Sequence, residues 1–211
     1  LSTSKRTTEA AVEGVGSSGN SGLQRPLVSL SPVSRQDRMP LSFAQQRLWF
    51  LEQVHPARPI NHISMGVRVR GPLNPEMLER SVQELIRRHE ILRTRFVSDR
   101  GEGFADISDE VVFTIRPHDL QQLNQAEQEI AVRHFLRTEA SQPFDLGREP
   151  LFRVALATLD QNQHVLVLTF HRLIADGWSL RVFCKELALL YEAGCEARRA
   201  RLSKLSVQYA D

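Results

Sequence analysis

The chain of 211 residues is 41% hydrophobic and 25% charged, enough apolar material for one sizeable core. Its formal net charge of +2 is too small an electrostatic footprint for nucleic acid, and no apolar run approaches membrane-spanning length. Two cysteines, Cys184 and Cys195, and seven histidines show no metal-ligand spacing, so reduced thiols and no metal site are expected.

Residues 1–38 read as a flexible interdomain linker. Ser2 to Ser21 is rich in Ser, Thr, Gly and Ala, with Gly14, Gly16 and Gly19 breaking any periodicity. Leu1 in place of a start methionine is expected of a piece cut from a longer chain. Residues 39–211 form the domain proper. Ser42 caps a first helix whose stripe of Phe43, Leu48, Leu51 and Val54 is expected to face the core, with Pro56 ending it. Ile63, Met65, Val67 and Val69 then alternate with polar residues, the period of a half-buried strand closed by Gly71-Pro72.

Asn74 and Pro75 start the next helix, with Leu78, Val82, Leu85, Ile86 and His89 on one face. The spacing predicts a strand beginning at Arg93–Phe96, a hairpin region over 99–109, and a further strand from the alternation of Val111, Phe113 and Ile115. Asn124 and Glu127 make a capping box for a helix facing inward through Ile130, Ala131, His134 and Phe135. Phe152–Thr158 and His164–Phe170 read as two strands joined by a turn at 160–163 and pairing antiparallel. Leu180, Phe183, Leu187, Leu190 and Tyr191 give the last helix, and the basic run from Arg198 to Lys204 reads as a solvated linker. The order is α-β-α-β-β-β-α-β-β-α, an α+β arrangement of helices over a largely antiparallel sheet.

The ten residues Phe170–Ser179 are a strand-to-helix junction, where polar groups can project into a cleft beside a helix N-terminus. Their His171-Arg172-x-x-x-Asp176-Gly177 resembles the His-His-x-x-x-Asp-Gly motif of the condensation domains of nonribosomal peptide synthetases. Those domains belong to the chloramphenicol acetyltransferase-like superfamily. Ser42-x-Ala44-Gln45-x-Arg47-Leu48-Trp49-x-Leu51 and Arg88-His89-Glu90-x-Leu92-Arg93-Thr94-x-Phe96 resemble the first and second motifs of that family, and 207–211 its fourth. One position departs: Arg172 stands where the family carries its catalytic histidine.

The resemblance implies the N-terminal lobe of a two-lobe, two-layer sandwich, with the active site between this lobe and a C-terminal lobe. It implies amide-bond formation between a donor acyl thioester and an acceptor amine, both arriving on carrier-protein phosphopantetheine arms. No bound cofactor, no nucleic acid and no membrane are implied, and a cytoplasmic location is expected. Arg172 cannot act as a base, because guanidinium stays protonated. Neighbouring strand residues point to opposite faces, so His171 is not its substitute. Asp176 is expected to pair with an arginine of this lobe, Arg93 first and Arg47 second, and to hold the loop. Gly177 would allow close approach of substrate or serve as a turn glycine, and Trp178 accompanies the motif. The alternatives are a non-catalytic binding module of the X-domain type, which also carries arginine here and recruits oxygenases, and an epimerisation domain.

Overall fold

The computed structural model describes residues 30–35, 38–55, 58–148 and 150–211. Most of the expected linker, and Pro56, lie outside the described residues. The elements run β1 (Met39–Pro40), α1 (Phe43–Val54), β2 (His62–Arg70), α2 (Pro75–Arg88), β3 (Thr94–Asp99), β4 (Glu102–Ile107), β5 (Arg116–Asp119), α3 (Gln125–Ser141), β6 (Phe152–Asp160), β7 (Gln163–His171) and α4 (Gly177–Cys195). Short 3-10 turns at Pro59–Asn61 and Glu90–Arg93 precede β2 and β3.

The helix starts are chemically explicit. Ser42 and Asn124 each close a reciprocal capping box, with Gln45 and Glu127 respectively. Asn74 accepts from the Met77 amide ahead of Pro75.

Two sheets result. One has the order β2-β7-β6-β5 and the other β1-β4-β3. All pairs are antiparallel except β5 with β6, which run parallel. The four-stranded sheet has two differently filled faces. Phe152, Val154, Leu156, Leu166, Leu168 and Phe170 pack with Val82, Leu85 and Ile86 of α2 and Phe183 and Leu187 of α4. Phe113, Phe152 and Phe170 stack in series at 5.1 and 5.6 Å, and Phe183 meets Phe170 edge-on at 5.0 Å. The opposite face offers Ala155, Ala157, Val165 and Val167 to Val132 and Phe135 of α3.

Three expectations are corrected here. Val111, Phe113 and Ile115 are not a strand. Phe113 does turn inward, but no backbone among the described residues pairs with the segment. Side chains of α2 take its hydrogen bonds instead: Gln83 donates to the Val111 carbonyl and accepts from the Phe113 amide, and Glu79 accepts from the Ile115 amide. The strand proper comes one residue later, at β5. In α1, Phe43 and Val54 are exposed, and the buried face is led by Gln45 and Glu52. In α3, Ile130 and His134 face solvent, while Val132, Phe135 and Glu139 are buried. Both free cysteines are unpaired, Cys184 half-buried and Cys195 exposed.

Candidate functional site

The turn after β7 is where three separated pieces of sequence converge. β7 ends at His171, and Leu173, Ile174 and Asp176 lead into the nineteen-residue α4. Arg172 and Asp176 line a cleft of about 440 Å³ together with Ala44 and Leu48 of α1, His89 and Ile91 after α2, Trp178, and Tyr209. The three motif regions singled out in the sequence therefore share one concavity.

His171 and Arg172 part company, as alternation along a strand requires. His171 is 1% exposed and lies against the α3 side of the sheet. Its Nε2 is 3.2 Å from Glu52 Oε1, and its Nδ1 accepts from the Leu173 amide at 3.2 Å. His62 and Phe144 pack edge-on to the ring at 5.8 and 6.2 Å, and the Arg153 guanidinium sits over Phe144. Burial pushes the His171 imidazole below its ordinary value, against the pull of the Glu52 carboxylate; burial likewise lowers His62. His171 is thus enclosed and neutral. It does not reach the cleft as a general base.

Arg172 is exposed. Its amide donates to the Asn61 carbonyl at 2.8 Å, while its guanidinium makes no hydrogen bond or ion pair among the described residues. The cleft thus contains an uncommitted, permanently charged fork. His89, by contrast, is committed: its Nε2 is 2.7 Å from Glu186 Oε2, a carboxylate also held by Arg88 at 3.0 and 3.2 Å. Those partners keep Glu186 below the usual carboxylate range despite its burial.

The expected arginine partner of Asp176 is a correction. Asp176 is exposed, and its Oδ1 accepts from the Ser179 amide at 2.8 Å and the Ser179 hydroxyl at 2.6 Å. These bonds hold its carboxyl below the ordinary value. It is the N-cap of α4, a role that satisfies an orphan amide locally and needs no arginine. Arg93 turns away, to the Ser108 carbonyl and to Glu90 at 3.8 Å. Arg47 is exposed on α1 and makes no ion pair among the described residues. Gly177 opens α4 without a positive φ, and an added Cβ would meet nothing within 4 Å. It is therefore not a turn glycine among the described residues, and it is exposed. Trp178 is 71% exposed, with the Arg181 guanidinium 5.7 Å from its ring.

Sequence reasoning missed three contributors. Gln45, in the first motif, donates from Nε2 to the Leu173 carbonyl at 3.1 Å while its Oε1 accepts from the Ser42 amide. The first motif thereby ties α1 to the turn of the third. Glu52 and Glu186 were legible only as carboxylates inside otherwise inward-facing helical stripes, where an acid is rarely left without a partner. Among the described residues no group of three metal-ligating side chains occurs, and no helix is long and apolar enough to cross a membrane.

Comparison with known proteins adds a family match. The sequence profile described as "Condensation domain" matches residues 35–211. Malpinin synthetase of Mortierella alpina is 39% identical over 185 residues, covering 88% of this chain and 2% of that protein. Phosphinothricin tripeptide synthetase PhsC of Streptomyces viridochromogenes is 38% identical over 173 residues, 82% of this chain and 16% of that one. Among solved structures, the starter condensation domain of rhizomide synthetase RzmA superposes with a TM-score of 0.74 at 23% identity, covering 81% of this chain and 41% of that one. The X-domain from teicoplanin biosynthesis, solved in complex with OxyB, gives a TM-score of 0.75 at 32% identity, covering 86% and 38%. The chain thus spans a small fraction of the synthetases and about two fifths of the solved domains.

Proposed function

The chain belongs to the condensation-domain family of nonribosomal peptide synthetases, and on that premise we propose that it supplies the N-terminal lobe of an amide-forming site whose proton-accepting group is replaced by Arg172. In this reading a donor acyl thioester and an acceptor amine arrive on carrier-protein phosphopantetheine arms and meet at the cleft beside α4. A C-terminal lobe supplies the facing wall, the domain binds no cofactor of its own, and the synthetase works in the cytoplasm. The observation that carries the reading is the convergence of all three motif regions on one cleft, lined by Arg172, while the nearby imidazoles His89 and His171 are each committed to a carboxylate. Attack by an amine requires loss of a proton. An absent base forfeits about 10²–10⁴-fold in rate, while a guanidinium could still stabilise the oxyanion.

A second reading has its own support. The 32% identity to an X-domain solved in complex with OxyB favours a non-catalytic module that recruits another protein. One comparison separates the two. Single-turnover peptide formation is measured with loaded carrier proteins for the chain extended through its natural second lobe, with and without Arg172→His. Condensation predicts a gain of about 10²–10⁴-fold from the restored imidazole. Equal rates at background level favour the binding module. Equal rates well above background show that this site works without a base.

A further inference from the structure

The structure assigns a positioning role to Glu52: its carboxylate fixes the His171 imidazole in one tautomer, and through that ring the backbone of the turn that delivers Arg172 to the cleft. The assignment follows from the hydrogen bonds alone. The Leu173 amide donates to His171 Nδ1 at 3.2 Å, and a ring nitrogen accepts only when it carries no proton. The proton of the neutral ring therefore sits on Nε2, which donates to Glu52 Oε1 at 3.2 Å. The same oxygen accepts from Asn61 Nδ2 at 2.7 Å. Asn61 then reaches the turn a second time, since its carbonyl takes the Arg172 amide at 2.8 Å. The amides of residues 172 and 173 are thus both fixed by groups that Glu52 holds. The remaining two amides of the turn bond elsewhere, His171 to the Leu151 carbonyl and Ile174 to the His171 carbonyl.

Burial argues that the arrangement has a purpose. Glu52 is 9% and His171 1% exposed, and a packed hydrocarbon pair would fill such a space at lower desolvation cost. What a polar pair adds is direction: two acceptors, His171 Nδ1 and Glu52 Oε1, and three donors, the Leu173 amide, His171 Nε2 and Asn61 Nδ2, with a single mutually consistent assignment. The other groups around the ring leave that assignment alone. His62 is occupied with the Ala140 carbonyl through Nδ1, and the Arg153 guanidinium sits over the Phe144 ring and donates to the Pro143 and Gln142 carbonyls. Burial, which lowers the imidazole's proton affinity, keeps the ring in the neutral form the pattern requires.

The functional weight of this role rests on the reading that residues 172–176 form the working wall of the cleft. The positioning itself is tested without turnover, so its failure and the failure of the condensation reading are separately visible. The 211-residue chain, Glu52→Gln and Glu52→Ala are labelled with ¹⁵N and compared at pH 8 by long-range ¹H–¹⁵N correlation of the histidine rings and by amide hydrogen exchange. The unaltered chain is expected to show His171 protonated on Nε2 and a protected Leu173 amide. Glu52→Gln retains an oxygen that accepts from both donors, and is expected to keep both signatures. Glu52→Ala is expected to give a mixed tautomer and to accelerate Leu173 exchange about tenfold or more, the scale of one lost hydrogen bond, while Val154 and Leu168 amides in the sheet are unmoved. A merely structural role would speed all of these amides together and make Gln as damaging as Ala, and that result overturns the assignment. So does a wild-type ring protonated on Nδ1, a measurement that decides the matter even where Glu52→Ala fails to fold.

Discussion

Gln45→Ala is the substitution that most directly weighs the tie between α1 and the turn of the candidate site. Gln45 is 5% exposed and makes two side-chain bonds with separate purposes. Its Oε1 accepts from the Ser42 amide at 3.0 Å, half of the capping box, and its Nε2 donates to the buried Leu173 carbonyl at 3.1 Å. Loss of the capping half costs about 1 kcal/mol. Leaving the Leu173 carbonyl without its donor costs about 1–3 kcal/mol more, and the better helix propensity of alanine returns only a few tenths. The expected loss is about 2–4 kcal/mol, or roughly 5–15 °C in Tm for a chain of this size. Ser42→Ala removes the cap and an exposed 3.3 Å contact with the Tyr209 hydroxyl, leaves the bond to Leu173 in place, and is expected to cost about 1 kcal/mol. Urea unfolding of the two variants beside the unaltered chain measures the difference. If Gln45→Ala falls within about 0.5 kcal/mol of Ser42→Ala, the limit of additivity for such comparisons, the bond to Leu173 contributes nothing and the first motif does not brace the turn.

Acid sensitivity should show two stages. Burial sets His171 and His62 below their ordinary value, so the native state binds fewer protons than the unfolded chain, and stability begins to fall as pH drops below about 6.5. Asp211 is lowered to about 2 by the amides of Gln208 and Val33 and by Arg35; its contribution is complete above about pH 4 and is lost between there and about pH 2. Asp211→Asn should shrink the second stage, which Glu186 and Asp176 also feed because both carboxyls are held below their ordinary value, and leave the first intact in pH-dependent melts. At Gly103, an added Cβ would lie 2.8 Å from both Leu41 Cδ1 and the Trp49 ring, so Gly103→Ala should cost about 1–3 kcal/mol in urea unfolding. A neutral result there would mean that the small sheet and α1 yield freely.

The parts of the fold that were legible in the sequence are those governed by local chemistry. The Asn74-Pro75 start of α2, the Asn124–Glu127 box of α3 and the apolar runs of β6 and β7 name their own conformations. Failures began where a partner distant in sequence decides the outcome. The alternation at Val111, Phe113 and Ile115 reports burial correctly, but pairing depends on Gln83 and Glu79, about thirty residues earlier. The stripe drawn through Phe43 and Val54 obeys helical periodicity and still points outward. The inward face of α1 serves hydrogen bonds to Leu173, Asn61 and His171, which hydrophobicity does not report. Asp176 failed in the opposite sense, because a long-range ion pair was expected where Ser179, three residues on, suffices. The motif resemblance located the cleft, and strand alternation already set the imidazole and the guanidinium on opposite faces; the partners that enclose the ring, Glu52 from α1 and the Leu173 amide, had no local signal.

The strand order has a consequence in time. Among the described residues β2 is an edge strand whose single neighbour is β7, with His62 opposite His171 and Arg70 opposite Gln163. During synthesis its partner emerges about a hundred residues later, a delay of roughly 5–20 s at ordinary elongation rates. Through that interval Ile63, Met65, Val67 and Val69 stand on a strand with both edges open, the condition under which chains pair with the wrong neighbour. Pairing of β2 within the sheet therefore waits for the β6–β7 hairpin. The arrival of β7 also brings His171 to Glu52 and the Arg172 amide to Asn61, while α4 and Tyr209, which line the same cleft, are made later still.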